Sequence, residues 1–386
     1  MVLSTEHVDS PETRHYNRIS RRIGIADAAL GLVFLTLLLL TDWTGDYRDF
    51  AWRLVGHNNY ALALAKYVFF IVGSLKVLGF GLDWFGFRLE HRYHLSNQSF
   101  GAWLWDQTKG FLLSIVLSVL FAELFYFMVR NLRQSWWIVA WISFNLISVF
   151  FAQIAPVVFF PIFYSFETLK NEGLRERLMK LCERAHTGVR GVYEWHLSEK
   201  SRKANAALMG LGNTRRIVVS DTLLAGYTDD EIEAVLAHEL GHHVHRHIAL
   251  SIVVQAIISF VGFWAIKIVI RWAEMDPHSW LTNYKQYDFA NLPLVVLVTT
   301  AMSLVLLPFM NAFSRFNERQ ADRYAWKSIP SVGPFITAMD KLATQNLAER
   351  EPSRVVEILF HSHPPISRRI RAAEQWAEKN AATPAR

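Results

Sequence analysis

Apolar residues in this chain come mostly in long blocks, and six blocks approach or exceed the ~20 residues that a helix needs to cross a bilayer. They lie at roughly 25–44 (IADAALGLVFLTLLLLTDWT), 61–84, 110–129, 136–163, 248–270 and 292–313, with Pro156 and Pro161 near the end of the fourth. The basic start, TRHYNRISRRIG, runs into a full-length block without a small-residue cleavage site before the next polar loop, so it reads as a retained first helix. Two polar stretches are long enough to fold. The pattern therefore predicts a mainly α protein, a polytopic membrane helical bundle of about six to seven spans, in four parts: 1–164 with four spans, a polar part 165–247, a two-span hairpin 248–313 and a C-terminal helical part 314–386.

Inside the polar part the periodicity changes. Leu174, Leu178 and Leu181 recur at helical spacing and predict an amphipathic helix. Gly210, Gly212 and Asn213 then separate two short runs, the second carrying β-branched residues from Ile217 to Val219, which predicts a hairpin. Thr228 followed by Asp229, Asp230 and Glu231 predicts a helix N-terminus, by capping and by the helix dipole. The C-terminal part is expected to be helical with a break at HSHPPISRRI.

Composition supports the membrane reading, since 52% of the 386 residues are hydrophobic and only 19% charged. Arg14, Arg18, Arg21 and Arg22 precede the first span, Arg88 and Arg92 lie in the second loop, and the insert is rich in Lys and Arg. Six spans place all of these on one side together with the C-terminus, and positive charge marks that side as cytosolic; Arg130 and Arg133 in the third loop run against the trend. A net charge of +6 then calls for anionic membrane lipid as a partner and for no nucleic acid. The single cysteine, Cys182, excludes an intramolecular disulfide and suits a reducing face. Lys66, Lys76 and Glu123 fall inside spans, where facing lipid is costly, and are expected to face a water-filled interior.

The chemistry concentrates in His238-Glu239-Leu240-Gly241-His242. Residues four apart share a helical face, so His238 and His242 can offer two imidazoles to one zinc ion, while Glu239 approaches a water there. The competing reading is a helix end whose histidines snorkel to the interface, and His243, His245 and His247 are expected to be solvated or to stand behind the metal ligands. A catalytic zinc normally takes three protein ligands. Glu318, in SRFNERQAD just after the sixth span, is the next candidate, with Asp322 one turn on able to accept the free ring N–H of a ligand histidine. Glu318 could otherwise pair with Arg315 or Arg319 on the surface.

These segments resemble the integral-membrane zinc metalloendopeptidases of the CAAX prenyl protease 1 family, metallopeptidase family forty-eight, within the gluzincin group. HELGH at 238–242, SRFNERQAD at 314–322, ANAALMGLGNTRRIVVSDTLL at 204–224, SHPPISRRI at 362–370 and the loop FRLEHRYHLSNQSFGAWLWDQTK match in order and spacing. The resemblance implies a bundle enclosing a chamber, with a gluzincin-like protease domain containing a small hairpin or sheet. It implies one Zn2+ held by His238, His242 and Glu318, and Glu239 as general base for a zinc-activated water. It implies His363 as the residue that stabilises the oxyanion, Arg369 near the metal as a substrate contact, and Asn205 and Ala206 on an edge strand that pairs with an extended peptide or protein substrate, which could be prenylated.

Three departures bear on biology. Segment 45–60 is short and polar where the eukaryotic members have a further span, His243 replaces a bulky aromatic, and the tail AATPAR lacks a retrieval signal. They point to a prokaryotic cytoplasmic membrane with the protease part facing the cytosol, over the endoplasmic reticulum. Two other functions remain open at this stage: a quality-control protease for membrane proteins, and a non-hydrolytic zinc transporter or sensor. The second would have no use for Glu239.

Overall fold

The computed structural model describes residues 9–56, 58–210, 214–275 and 284–381. Six helices among these are long and apolar enough to cross a membrane, in the places that the apolar blocks predict. In chain order the first part holds α1 (Pro11–Leu40), α2 (Trp43–Arg53), α3 (Tyr60–Arg92), α4 (Phe100–Asn131), α5 (Trp136–Val158) and the short α6 (Phe160–Phe163). Then come β1 (Phe166–Thr168), α7 (Glu172–Arg184), β2 (Val192–Trp195), β3 (Ala206–Met209), β4 (Arg216–Ser220), α8 (Asp221–Gly226) and α9 (Asp229–Val244). The chain closes with α10 (His247–Met275), α11 (Leu292–Ser328), α12 (Gly333–Gln345), α13 (Arg354–Phe360) and α14 (Ile366–Ala381). The polar segment after α1 forms the eleven-residue α2 and no further span.

Several spans outrun their apolar blocks. Helix α11 continues for 37 residues and passes through the boundary expected at 313/314, so one helix carries both the sixth span and Glu318. Lys76 lines a cavity of about 920 Å³ and bonds to Asp83 at 2.6 Å on its own helix and to Gln107 at 2.5 Å on α4. Lys66 reaches the Leu54 carbonyl at 3.4 Å, whereas Glu123 keeps one buried oxygen without a partner among the described residues.

Loops and ends that positive charge grouped on one side do meet there. Asn17 of α1 donates to Leu347 O, Lys203 pairs with Glu90, and Asn97 bonds to Ser198 O. Asp9 accepts from the Arg350 and Glu351 backbone, so the start of α1 is fastened to the C-terminal part.

The expected hairpin is β3 and β4, antiparallel, with Ala206 opposite Val219. Gly210 adopts φ +89 at its turn, while Gly212 and Asn213 lie outside the described residues. The hairpin belongs to a four-stranded sheet of order β1-β2-β4-β3, with β2 parallel to β4. β1 and β2 lack a periodic signal because they are three and four residues long. Leu174, Leu178 and Leu181 of α7 are buried with Ile217, Leu236 and Phe335 in the core of the soluble part. Each such side chain contributes about 1.5–3 kcal/mol through removal from water.

Candidate metal centre

Helix α9 begins with a capping box, in which Thr228 accepts from the Glu231 backbone and Glu231 accepts from that of Thr228. Its residues from Glu231 to His238 are all buried, acidic side chains included, because Lys341 meets Glu231 at 2.7 Å and Arg177 meets Glu233 at 2.5 Å. The helix stops at Val244, and Arg246 takes the left-handed conformation at φ +54 before α10 starts. The motif helix and the fifth span are therefore two separate helices. A turn at 245–246 allows α9 to lie across α11 instead of following α10.

Gly241 makes that crossing possible. A Cβ there would fall 2.7 Å from Ala321 Cα and 2.9 Å from Ala321 O, backbone atoms that cannot swing aside. Gly241→Ala is expected to cost ~1–3 kcal/mol by overpacking. Pushing α9 off α11 also separates the histidines from Glu318. Thermal unfolding and zinc content of the purified variant measure both effects.

The crossing brings His238 and His242 of α9 onto Glu318 of α11. One ligand atom from each lies within 4.8 Å of the others. His238 Nε2 is 3.2 Å from Glu318 Oε2, His242 Nε2 is 3.3 Å from Glu318 Oε1, and the two Nε2 atoms are 3.3 Å apart.

Hydrogen bonds behind the ligands fix their tautomers. Asp322 accepts from His238 Nδ1 at 2.8 Å, so His238 Nε2 turns its lone pair inward. For His242 the partner is His247, with Nδ1 to Nδ1 at 3.0 Å, and His247 Nε2 meets Gln320 Oε1 at 2.9 Å. That amide oxygen only accepts, so His247 Nε2 carries a proton and its Nδ1 accepts from His242. His242 Nε2 is then also left as a lone pair.

Two lone pairs and a carboxylate aimed at one point repel unless a cation sits among them, and Glu318 Oε2 is buried without a hydrogen bond among the described residues. Burial alone would lower the His238 imidazole, but Asp322 and Glu318 outweigh it and push it up to about 9. The spot draws positive charge, and its two imidazoles and one carboxylate suit zinc. Surface pairing of Glu318 with Arg315 or Arg319 is excluded by the packing. Glu318 is buried, and Arg315 instead donates to the Glu357 and His361 carbonyls.

His247 is the member of the histidine cluster whose role only packing reveals. His247→Ala is expected to weaken zinc binding 10–100-fold, the usual result of losing a hydrogen-bond partner of a ligand. A chelator competition reads this, and His247→Gln should restore part of it by accepting from His242.

Glu239 lies one step round α9, in the wall of a cavity of about 560 Å³. The same cavity is lined by Leu208 of β3, Asn145 of α5, Ser251 of α10 and Asn317 of α11. Among the described residues the Glu239 carboxyl makes no hydrogen bond or ion pair, and burial pushes its pKa above the ordinary carboxylate range although His238 and His242 pull it back. Asn317, missed in the sequence, is buried beside Glu318 with its side-chain oxygen unpartnered among the described residues.

His363 lies at the edge of the ligand set, its Nε2 3.2 Å from Glu318 Oε1, with a largely exposed ring. Arg369 lies near the metal ligands, its Nη2 3.3 Å from His238 Nδ1. It is buried and grips Asp322 through Nε at 2.9 Å and Nη2 at 2.6 Å, behind His238 and away from the cavity a substrate would enter. Asn205 precedes β3, its side chain exposed, and its carbonyl accepts from Ser220 N at 2.9 Å; Ala206 opens the strand with a buried methyl.

Comparison with known proteins agrees with this geometry. The family model described as Peptidase family M48 matches residues 168–377, and that described as CAAX prenyl protease N-terminal, five membrane helices, matches 5–165. Four span-length helices and α2 occupy the latter stretch. The chain is 31% identical to the metalloprotease YhfN of Bacillus subtilis over 320 residues, covering 83% of this chain and 75% of that one. It is 28% identical to the CAAX prenyl protease 1 homolog of Arabidopsis thaliana (75% and 68%) and 25% identical to CAAX prenyl protease 1 of Saccharomyces cerevisiae (76% and 68%). The crystal structure of S. mikatae Ste24p shares the fold, with a TM-score of 0.82 at 22% identity over 94% of this chain and 87% of that one. Two matched halves, a 31% identical relative and a His-His-Glu cluster beside a free carboxylate together favour hydrolysis over metal transport or sensing: the chain belongs to peptidase family M48 and is an integral-membrane zinc metalloendopeptidase of the CAAX prenyl protease kind.

Proposed function

We propose that this protein cuts extended peptide segments at a single zinc ion held by His238, His242 and Glu318, with Glu239 as the general base. The observation that carries the reading is the unpaired Glu239 carboxyl in a cavity wall next to three converging ligand atoms. Bound zinc supplies Lewis acidity toward water and the scissile carbonyl. Glu239 takes a proton from the attacking water and returns it to the leaving amine nitrogen, a task suited to a carboxyl whose pKa burial has raised. His363, within hydrogen-bond reach of the ligand set, is placed to donate to the oxyanion. Asp322 holds His238, and Arg369 acts through Asp322 as a positioning residue.

The edge of β3 receives the substrate. Among the described residues β3 pairs only with β4. Asn205 turns its carbonyl toward Ser220, so antiparallel alternation turns the backbone of Ala206 and Leu208 outward, and Leu208 lines the cavity with Glu239. An extended peptide adding there as a strand brings its own backbone past Glu239.

A prenylated substrate is favoured by what lies beyond. A second cavity of about 550 Å³, walled by Phe144, Ile258, Phe263 and Leu306, shares Gln255 and Met310 with the first. An apolar chain attached to the peptide has a place there between α5, α10 and α11. The basic end that carries the site faces the cytosol, in a prokaryotic cytoplasmic membrane. Zinc-loaded protein in nanodiscs should cleave a quenched peptide, and a farnesyl group on that peptide should raise kcat/KM about tenfold or more, roughly 1.4 kcal/mol of added binding. Cleavage indifferent to the farnesyl group would favour membrane-protein quality control, and no cleavage at all would refute the proteolytic reading.

A further inference from the structure

Behind the metal centre, where α11 packs on α14, there is a separate pocket of about 430 Å³ that shares no residue with the cavity beside Glu239. Arg319 and Arg323, one turn apart on α11, face it together with Arg368 and Lys379 of α14, and Asp322 and Arg369 also line it. Five cations thus meet one carboxylate. That carboxylate is already gripped by Arg369 through two hydrogen bonds, and Arg368 is held by Glu357 at 2.6 Å. Arg319 and Arg323 make no hydrogen bond or ion pair among the described residues, although like charges four apart on a helix repel. Trp326 in the same lining is 5% exposed, and its indole N–H is buried without an acceptor among the described residues.

Unpaired guanidinium forks around one space ask for a ligand with several acceptor oxygens and negative charge. We propose that this pocket is a binding site for a phosphate-bearing anion. A tetrahedral oxyanion can accept from both arginines at once while keeping oxygens for further donors, which an ammonium cluster or a single arginine would do less well. Its source is either a soluble phosphorylated compound or a phospholipid headgroup. Arg319 lies about 9 Å and Arg323 about 15 Å along α11 from residue 313, at 1.5 Å per residue, so a headgroup reaches Arg319 more readily than Arg323.

The test uses the full-length, zinc-loaded protein. Radiolabelled inorganic phosphate at low ionic strength should bind the detergent-solubilised protein saturably at one site. In R319Q/R323Q the affinity should fall at least tenfold, while Lys180→Gln, an exposed lysine paired with Glu176 on α7, leaves it unchanged. In nanodiscs with and without phosphatidylglycerol, loss of phosphate binding only where that lipid is present identifies a headgroup as the occupant. Equal binding in both identifies a soluble anion. The proposal is overturned if neither phosphate nor phosphatidylglycerol binds in an Arg319/Arg323-dependent way, or if chloride at matched ionic strength displaces phosphate equally from wild type and R319Q/R323Q, an adventitious ion only. Both arginines are exposed, and unchanged zinc content in R319Q/R323Q separates loss of the anion from misfolding.

Discussion

Glu239→Gln should abolish peptide cleavage, lowering kcat by about 10²–10⁴-fold, while one zinc per chain stays bound. The amide keeps the size and shape of the carboxyl in the cavity wall but cannot take a proton. No hydrogen bond or ion pair of Glu239 is lost with it, so the fold has no reason to change. A quenched-peptide assay read beside metal analysis decides the matter. Full activity in the variant would remove Glu239 from the mechanism, and loss of zinc would make it a ligand.

His242→Ala should give the opposite pattern, loss of metal first and of activity with it. His242 contributes one of three donors, and its removal leaves Glu318 and His238 converging on a spot that can no longer enclose an ion. The loss of zinc affinity should exceed the 10–100-fold expected when only a supporting partner such as His247 is removed. Dialysis against a graded series of chelators ranks wild type, His247→Ala and His242→Ala in that order. Metal retained at wild-type affinity in His242→Ala would break the proposed ligand set, whatever the activity.

The contrast between these variants follows from which contacts the sequence could reveal. His238, Glu239 and His242 are one local pattern on one helix, and local spacing fixes which side chains share a face. Glu318 and Asp322 were legible for the same reason, being a second pair four apart on a helix. The union of the two pairs was an inference from zinc's need for a third ligand. Gly241 is visible in the motif, but its purpose is not, because Ala321 lies 80 positions away and only the crossing of α9 on α11 brings it to 2.7 Å. For Arg369, an arginine near a metal centre reads equally well as a contact for substrate or as a support, and its burial against Asp322 favours the second. His247 and Gln320 form their relay across two helices, with no regular spacing to announce it.

By itself the sequence determined the membrane class, the six spans, the capped motif helix and the two residue pairs, His238 with His242 and Glu318 with Asp322, that make up the candidate metal centre. Each of these rests on composition or on periodicity within one element, which backbone geometry converts directly into structure. The tertiary structure alone decided the break at Arg246, the two short strands β1 and β2, the tautomers of both ligand histidines, the cavity that Glu239 faces and the arginine-lined pocket behind Asp322. All of these arise where one element meets another, and such meetings depend on side chains far apart in the chain being brought within a few ångströms by packing.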